Sequence, residues 1–273
     1  MKVSCLCARA GMSRQNFYKE RKRRRRDAVD EGLVKTLVNE ERRIQPRLGG
    51  QKLYVLLKDT LASCGVKLGR DRFFQVLKSQ CLLLEALPKG PRTTCSGHSL
   101  PVFENLVKDI VVSEPNEAWA SDITYIRTQE GFGYLSLITD MGSRKIVGYH
   151  LSRTLEAQET LLALRMAIKG KADGVHPIHH SDRGCQYCCH EYVKVLKDNN
   201  MAISMTEEHH CAENAMAERV NGILKQEYYL RDEFRTMDQA LIAVKEAIHL
   251  YNTRRPHRSL NFKTPEQAHR SAA

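Results

Sequence analysis

The apolar positions change their period near residue 100. Before it they recur every three or four residues, as on helix faces; after it several runs alternate, as in half-buried strands. Val3-Ser-Cys-Leu-Cys-Ala-Arg9 is apolar on one side and Ala10-Gly11-Met12 breaks it. Ser13 is a good N-cap for a helix carrying Phe17 and Tyr18. The pattern predicts helix, turn, helix to about Arg26, then a short helix over 27–44 with Leu33, Val34, Leu37 and Val38 inward. Residues 47–84 give a second two-helix unit. Leu53, Leu56, Leu57 and Leu61 face inward on its first helix, and Cys64-Gly65 turns the chain. Phe73, Phe74, Val76 and Leu77 follow on a helix opened by Arg70-Asp-Arg72. Pro88 to Pro101 is rich in Pro, Gly, Ser and Thr and reads as a linker.

Strand patterns cover 119–127, 133–140 and 145–152, with turns at Gly131-Phe-Gly133 and Met141-Gly-Ser143. A helix over 155–169, a short strand ending at Asp182, a helix over 188–199 and a strand over 201–205 come next. Helices over 213–230 and 237–251 follow, and the tail from Tyr251 to Ala273 reads as irregular. Three antiparallel strands, then alternating helices and strands, is the order of a ribonuclease H-like α/β fold. The expected organisation is a basic helix-turn-helix-like segment over 1–45, a second helix-turn-helix over 46–86 and a linker over 87–112. A ribonuclease H-like catalytic core with its tail then occupies 113–273.

Charge sharpens that division. The net charge is +11, but residues 1–100 hold 22 Lys and Arg against 9 Asp and Glu, and residues 101–273 hold 21 against 23. A basic front and a near-neutral back suit a polyanion-binding region joined to a second domain. The run Arg21-Lys-Arg-Arg-Arg-Arg26 is too dense for an ordinary solvated face. Arg23, Arg24 and Arg25 are candidate phosphate contacts, as are Arg70 and Arg72 at the start of a helix. No apolar run approaches the ~18 residues of a membrane span, and no signal peptide is evident. With nine scattered cysteines, the expectation is a cytoplasmic protein with reduced thiols, associated with the nucleoid and not with a membrane. Cys185, Cys188, Cys189, His209, His210 and Cys211 make a poor zinc set, because the adjacent cysteines point apart.

Three acidic residues carry the candidate chemistry. Asp122 sits in the alternating run Trp119-Ala-Ser-Asp-Ile-Thr-Tyr-Ile126, Asp182 ends Ile178-His-His-Ser-Asp182, and Glu218 lies within a helix pattern. Hard divalent cations prefer carboxylate oxygens, and two such ions can bracket the attacking and leaving oxygens of a phosphodiester. Asp122 is expected to bridge both ions, with Asp182 and Glu218 anchoring one each. At 100° per residue, Asn214, Glu218, Asn221 and Lys225 share a stripe about 60° wide, opposite Met216, Ala217, Val220, Ile223 and Leu224. The helix thus offers a carboxylate for metal, and two amides and an ammonium for phosphate. Glu227 breaks the pattern. His180, with His209 or His210, stands near the site, where a structural role is expected.

At these residues the chain resembles the Asp-Asp-Glu transposases of the insertion-sequence-three family, in their integrase-core reading frame. The segments "NEAWASDITYI", "HHSDRGCQY" and "CAENAMAERVNGILKQEY" resemble the two aspartate motifs and the glutamate helix, with 35 residues between Asp182 and Glu218. Lys225 stands seven after the glutamate, where the family carries a basic residue, and "YNTRRPHRSLNFKTPEQA" resembles the C-terminal signature. Arg219 and Cys185 depart from the family's usual small residue and serine. The resemblance implies dependence on Mg²⁺, with Mn²⁺ as a substitute. It implies nicking at inverted terminal repeats that frees a 3′-hydroxyl, then attack by that hydroxyl on target DNA. It also implies a homo-oligomer on DNA and fusion to an upstream-frame DNA-binding protein. Two rival readings stand beside it: a nuclease that only hydrolyses, and a helix-turn-helix DNA-binding protein whose integrase-like core is inactive.

Overall fold

Ser13 accepts the backbone N–H of Asn16 at 3.1 Å and opens a helix that does not end until Ile44. The computed structural model describes residues 3–85, 100–108, 110–207 and 214–270. They fall into two units, Met1–Glu85 and Ala86–Ala273. The first unit holds α1 (Val3–Arg9), α2 (Arg14–Ile44), α3 (Gly50–Ser63) and α4 (Arg70–Ser79). The pattern predicted two helices meeting near Arg26, but α2 runs unbroken for 31 residues. Nothing between Arg21 and Glu31 stops a helix, and Gly32 costs only about 1 kcal/mol. The arginine run is exposed on α2, and Arg23 pairs with Glu20 at 2.8 Å. Val34 and Val38 of α2 share one core with Leu53, Leu57 and Leu61 of α3 and Phe73, Val76 and Leu77 of α4. Gly65, at φ +81°, makes the turn after α3 in a conformation that favours glycine.

The second unit is built on five strands: β1 (Ala118–Thr128), β2 (Gly131–Asp140), β3 (Ile146–Ser152), β4 (Ile178–Ser181) and β5 (Ile203–Met205). Their order is β3-β2-β1-β4-β5. The first three pair antiparallel, while β4 runs parallel to β1 and β5 parallel to β4. This is the ribonuclease H-like α/β arrangement the pattern predicted. The helices are α5 (Ala157–Gly170), α6 (Cys185–Cys188), α7 (His190–Asp198), α8 (Ala215–Glu227), α9 (Met237–Thr253) and α10 (Pro265–Arg270). One core joins Ile126, Leu135 and Leu137 of the sheet to Val220, Ile223 and Leu224 of α8 and Val244, Ala247 and Ile248 of α9. The other joins Trp119 and Ile138 to Leu161 and Leu164 of α5, Tyr192 and Leu196 of α7 and Met205 of β5.

Two further segments differ from expectation. The helix expected over 188–199 is divided at Cys189, whose backbone is extended (φ −67°, ψ 149°). The tail is not irregular: a 3₁₀ turn spans Arg258–Leu260 and α10 follows. Thr264 and Gln267 form a reciprocal cap there, with Gln267 N–H on Thr264 Oγ1 at 3.2 Å and Thr264 N–H on Gln267 Oε1 at 2.9 Å. Of the segment expected as linker, residues 87–99 and 109 lie outside the described residues. Leu106, further along it, donates its N–H to Ser204 Oγ on β5 at 2.9 Å. Among the described residues no helix is long and apolar enough to cross a membrane.

Candidate active site

The parallel register of β1 and β4 pairs Ala118 with Ile178, Trp119 with His179 and Ala120 with His180. Two residues further along both chains, the same offset brings Asp122 level with Asp182, just beyond the end of β4. Neighbouring strands lie about 4.8 Å apart, so the two carboxylates are brought to one place. Alternation puts Asp122 on the same face as Leu137, its partner on β2, and Leu137 packs in the core that includes α8. The aspartates therefore open toward α8, beside the strand where the sheet changes from antiparallel to parallel pairing, a usual place for a ligand crevice.

Asp122 is half-buried, reached by solvent but surrounded by protein on most sides. Its carboxyl is pushed up to about 7 by that burial first and by the charge of Asp182 second. Hydrogen bonds from Asn221 (Nδ2 to Oδ2, 2.6 Å) and from the Ile123 N–H (2.9 Å) oppose the rise, and Glu218 adds to it. Asp182 accepts the Gly184 N–H at 3.0 Å. A Cβ on Gly184 would stand 3.0 Å from that same carboxylate oxygen, so the turn after β4 fits closely around it. Glu218 lies exposed on the first turn of α8 and reaches Asp122 electrostatically. Among the described residues no three His, Cys, Asp or Glu side chains are gathered into a metal-holding group. The sheet brings the two aspartates together; the glutamate stands further out. An all-carboxylate donor set with surplus negative charge nevertheless fits a hard divalent cation.

Residues 112–211 match a model of the integrase core domain, and residues 199–265 match a second model of that description. An uncharacterized 31 kDa protein of insertion element IS600 from Shigella sonnei is 32% identical over 276 residues, 98% of this chain and 100% of its own. Transposase InsF for insertion sequence IS3A, from Escherichia coli strain K12, is 35% identical over 213 residues, 77% of this chain and 74% of its own. The chain belongs to the IS3 family of transposases. It is a DNA transposase with an integrase-like core, a polynucleotidyl transferase of the Asp-Asp-Glu class. Two solved structures are similar at lower levels. The HTLV-2 integrase catalytic core domain in complex with magnesium has a TM-score of 0.46 and 22% identity, covering 57% of this chain and 97% of that one. The simian T-cell lymphotropic virus intasome in complex with the PP2A regulatory subunit B56 gamma has a TM-score of 0.49 and 20% identity, covering 81% and 74%.

The two amides of the transposase's glutamate helix face inward rather than outward. Asn214 is buried and donates to the Ser121 carbonyl at 3.1 Å; Asn221 is buried on Asp122. Their NH₂ groups therefore hold β1. A helix packed this closely on a strand turns its polar stripe into contacts with the strand's own backbone and carboxylate. Lys225 is half-buried beside them; burial lowers its pKa, Asp122 opposes that and Arg127 adds to it. Arg23, Arg24, Arg25, Arg70 and Arg72 all lie exposed on the first unit. Arg70 pairs with Asp71 at 3.0 Å, and Arg72 reaches Glu31 at 3.3 Å, which ties α4 to α2.

Of the histidines expected near the site, His180 is buried with Nδ1 2.9 Å from Ser204 Oγ, while His209 and His210 lie outside the described residues. So does Cys211, and Cys188 is buried near Met205, so the described part of the cysteine set forms no metal group. Sequence reading missed His179. Its Nε2 lies 2.7 Å from Ser121 Oγ and 3.0 Å from Tyr192 OH, directly behind β1. Its only sequence signal was a polar residue in a strand buried on both faces. Sequence reading also missed why Glu227 breaks the helix pattern: it pairs with the buried Arg255 at 2.8 Å.

Proposed function

We propose that this transposase nicks DNA at the inverted terminal repeats of its element and then transfers the freed strand. The reaction depends on two divalent ions held by Asp122, Asp182 and Glu218. The observation that carries this reading is the level placement of Asp122 and Asp182 on adjacent parallel strands, with the charges of Asp182 and Glu218 both felt at Asp122. Bound Mg²⁺, with Mn²⁺ as a substitute, supplies Lewis-acid activation of the attacking oxygen and charge stabilisation at the leaving oxygen.

The chain's own residues prepare that chemistry. Asn221 and the Ile123 N–H orient the Asp122 carboxylate by one hydrogen bond to each oxygen. Gly184 does the same for Asp182. Glu218 projects from α8, whose N-terminal end Asn214 fastens to β1. Lys225, two turns along the helix, offers an ammonium to a DNA phosphate beside Asp122. The exposed arginines of α2 and α4 supply sequence-independent attraction to DNA. Assembly as a homo-oligomer on DNA and fusion to an upstream-frame DNA-binding protein belong to the same reading.

The test is cleavage of a labelled terminal-repeat duplex by the full chain in Mg²⁺, followed by strand transfer into a target. Glu218→Gln keeps the side chain's shape and removes a metal-anchoring charge. Nicking and transfer are expected to fall together by at least ~10²-fold, as when a key electrostatic group is lost, with DNA affinity within about twofold. A loss of only a few-fold would mean that another carboxylate serves. A wild-type chain that binds the end but neither nicks nor transfers would favour the DNA-binding reading with an inactive core.

A further inference from the structure

The last residue of α8 is held by a side chain from beyond α9. Arg255 Nε donates to Glu227 Oε2 and Nη2 donates to Oε1, both at 2.8 Å. The arginine side chain is 3% exposed and the glutamate 17%. The third arm, Nη1, lies 2.8 Å from His257 Nε2. A guanidinium has only donors, so that nitrogen accepts and His257 is assigned the neutral Nδ1–H tautomer. The guanidinium lies 5.8 Å from the centre of the Tyr251 ring, which meets His257 edge-on at 4.9 Å. Tyr251 OH donates to the Arg144 carbonyl at 3.0 Å, between β2 and β3. Taken in series, these contacts connect the end of α8 through Arg255, His257 and Tyr251 of α9 to the turn between β2 and β3.

We propose that Arg255 is a positioning residue for Glu218, locking the rotation of α8 about its own axis through the forked pair with Glu227. This rests on the reading of Glu218 as a metal-anchoring carboxylate. Glu218 and Glu227 are nine residues apart, which at 100° per residue puts them on opposite faces of the helix. A clamp on one face thus sets the angle of the other. Asn214 and Asn221 tie α8 to β1 by one hydrogen bond each, and Ala217, Val220, Ile223 and Leu224 pack it on the sheet. Single amide bonds and apolar contacts still allow small rotations, which a second, forked contact on the opposite face opposes. A side chain reaching about 6 Å from the helix axis moves roughly 2 Å for a 20° rotation. Functional constellations tolerate only about 0.5 Å. A planar fork on a carboxylate is directional and resists that rotation. A buried ion pair is also a poor source of net stability, because desolvation offsets most of its attraction. Its use here is geometric.

Two variants of the full chain test this. Arg255→Lys keeps the charge and loses the fork. The double variant Glu227→Met with Arg255→Leu replaces the pair by apolar side chains of similar size. Each is assayed for single-turnover nicking of a terminal-repeat duplex in Mg²⁺ and in Mn²⁺, for DNA affinity and for urea midpoint, beside Glu218→Gln. Mg²⁺ demands near-ideal octahedral geometry, and Mn²⁺ accepts looser ligands. The expected result is a loss of nicking of ~10-fold or more in Mg²⁺, a smaller loss in Mn²⁺ and DNA affinity within twofold. The double variant's urea midpoint should stay close to that of the wild type, relief of the pair's desolvation offsetting the donor lost at His257 Nε2. A folded variant nicking within twofold of wild type in Mg²⁺ overturns the proposal. So does a loss equal in both metals that tracks a lowered urea midpoint. If the double variant does not fold, Arg255→Lys decides alone. If Glu218→Gln itself nicks normally, the reading of the site fails; if it is inactive while the pair variants are not, only the positioning role fails.

Discussion

His179 shows how much one buried side chain can decide. It is fully enclosed on β4, facing the hydroxyls of Ser121 and Tyr192, the ring of Tyr187 and the neighbouring His180. Burial first, and His180 second, push its pKa down to about 3. An unfolded chain protonates the same imidazole near 6.5. Between those values the unfolded state binds a proton that the folded state refuses. The stability His179 contributes is therefore present above about pH 6.5 and lost as pH falls toward 3, by up to about 1.4 kcal/mol per unit. His179→Gln keeps a polar group without the titration, so its urea midpoint should fall less steeply than that of the wild type between pH 6.5 and 4. Parallel curves would assign the acid sensitivity to other groups. Asp122 is another residue whose state is set by its surroundings, and it was visible in the sequence as an acid in an alternating run. His179 was not, because a buried histidine and a site histidine look alike until the neighbours are known.

At the scale of elements, close approach governs what the sequence permits. Gly148 on β3 lies under α5, where a Cβ would overlap the Ala163 carbonyl and stand 2.9 Å from the Ala167 Cβ. Gly148→Ala is expected to push α5 off the sheet and cost about 1–3 kcal/mol, as overpacking does. The measurement is a lowered urea midpoint with an unchanged m-value; an unchanged midpoint would show that α5 can shift freely. Most elements were legible from their apolar patterns and the turn residues that bound them, including all five strands and the glutamate helix. Two were not. The boundary expected near Arg26 fell where the arginine run ends, yet arginine, aspartate and alanine continue a helix as readily as they end one. The C-terminal helix was signalled by Thr264-Pro-Glu-Gln267, a capping pattern at its start.

Across the whole molecule, charge separates two roles. The first hundred residues carry the basic excess, and Arg23, Arg24 and Arg25 of α2 and Arg70 and Arg72 of α4 are exposed. Replacing Arg23, Arg24 and Arg25 by Gln should weaken DNA binding and flatten its salt dependence. Each lost phosphate contact reduces the slope of log K against log salt by about 0.9. Mg²⁺-dependent nicking at saturating DNA should change little. An unchanged salt slope would place the phosphate contacts elsewhere on the chain.

The sequence by itself determined the succession of strands and helices along the chain, the identity and spacing of Asp122, Asp182 and Glu218, and the basic front. These are properties of local pattern and residue type, and they were enough to state a family resemblance. Only the tertiary structure decided that the β1–β4 register brings the two aspartates level, and that Asn214 and Asn221 face β1. It also decided that Glu227 meets Arg255, 28 residues further along the chain. Each of these depends on which face of one element meets which face of another. Periodicity reports that a face is buried, but not what it is buried against.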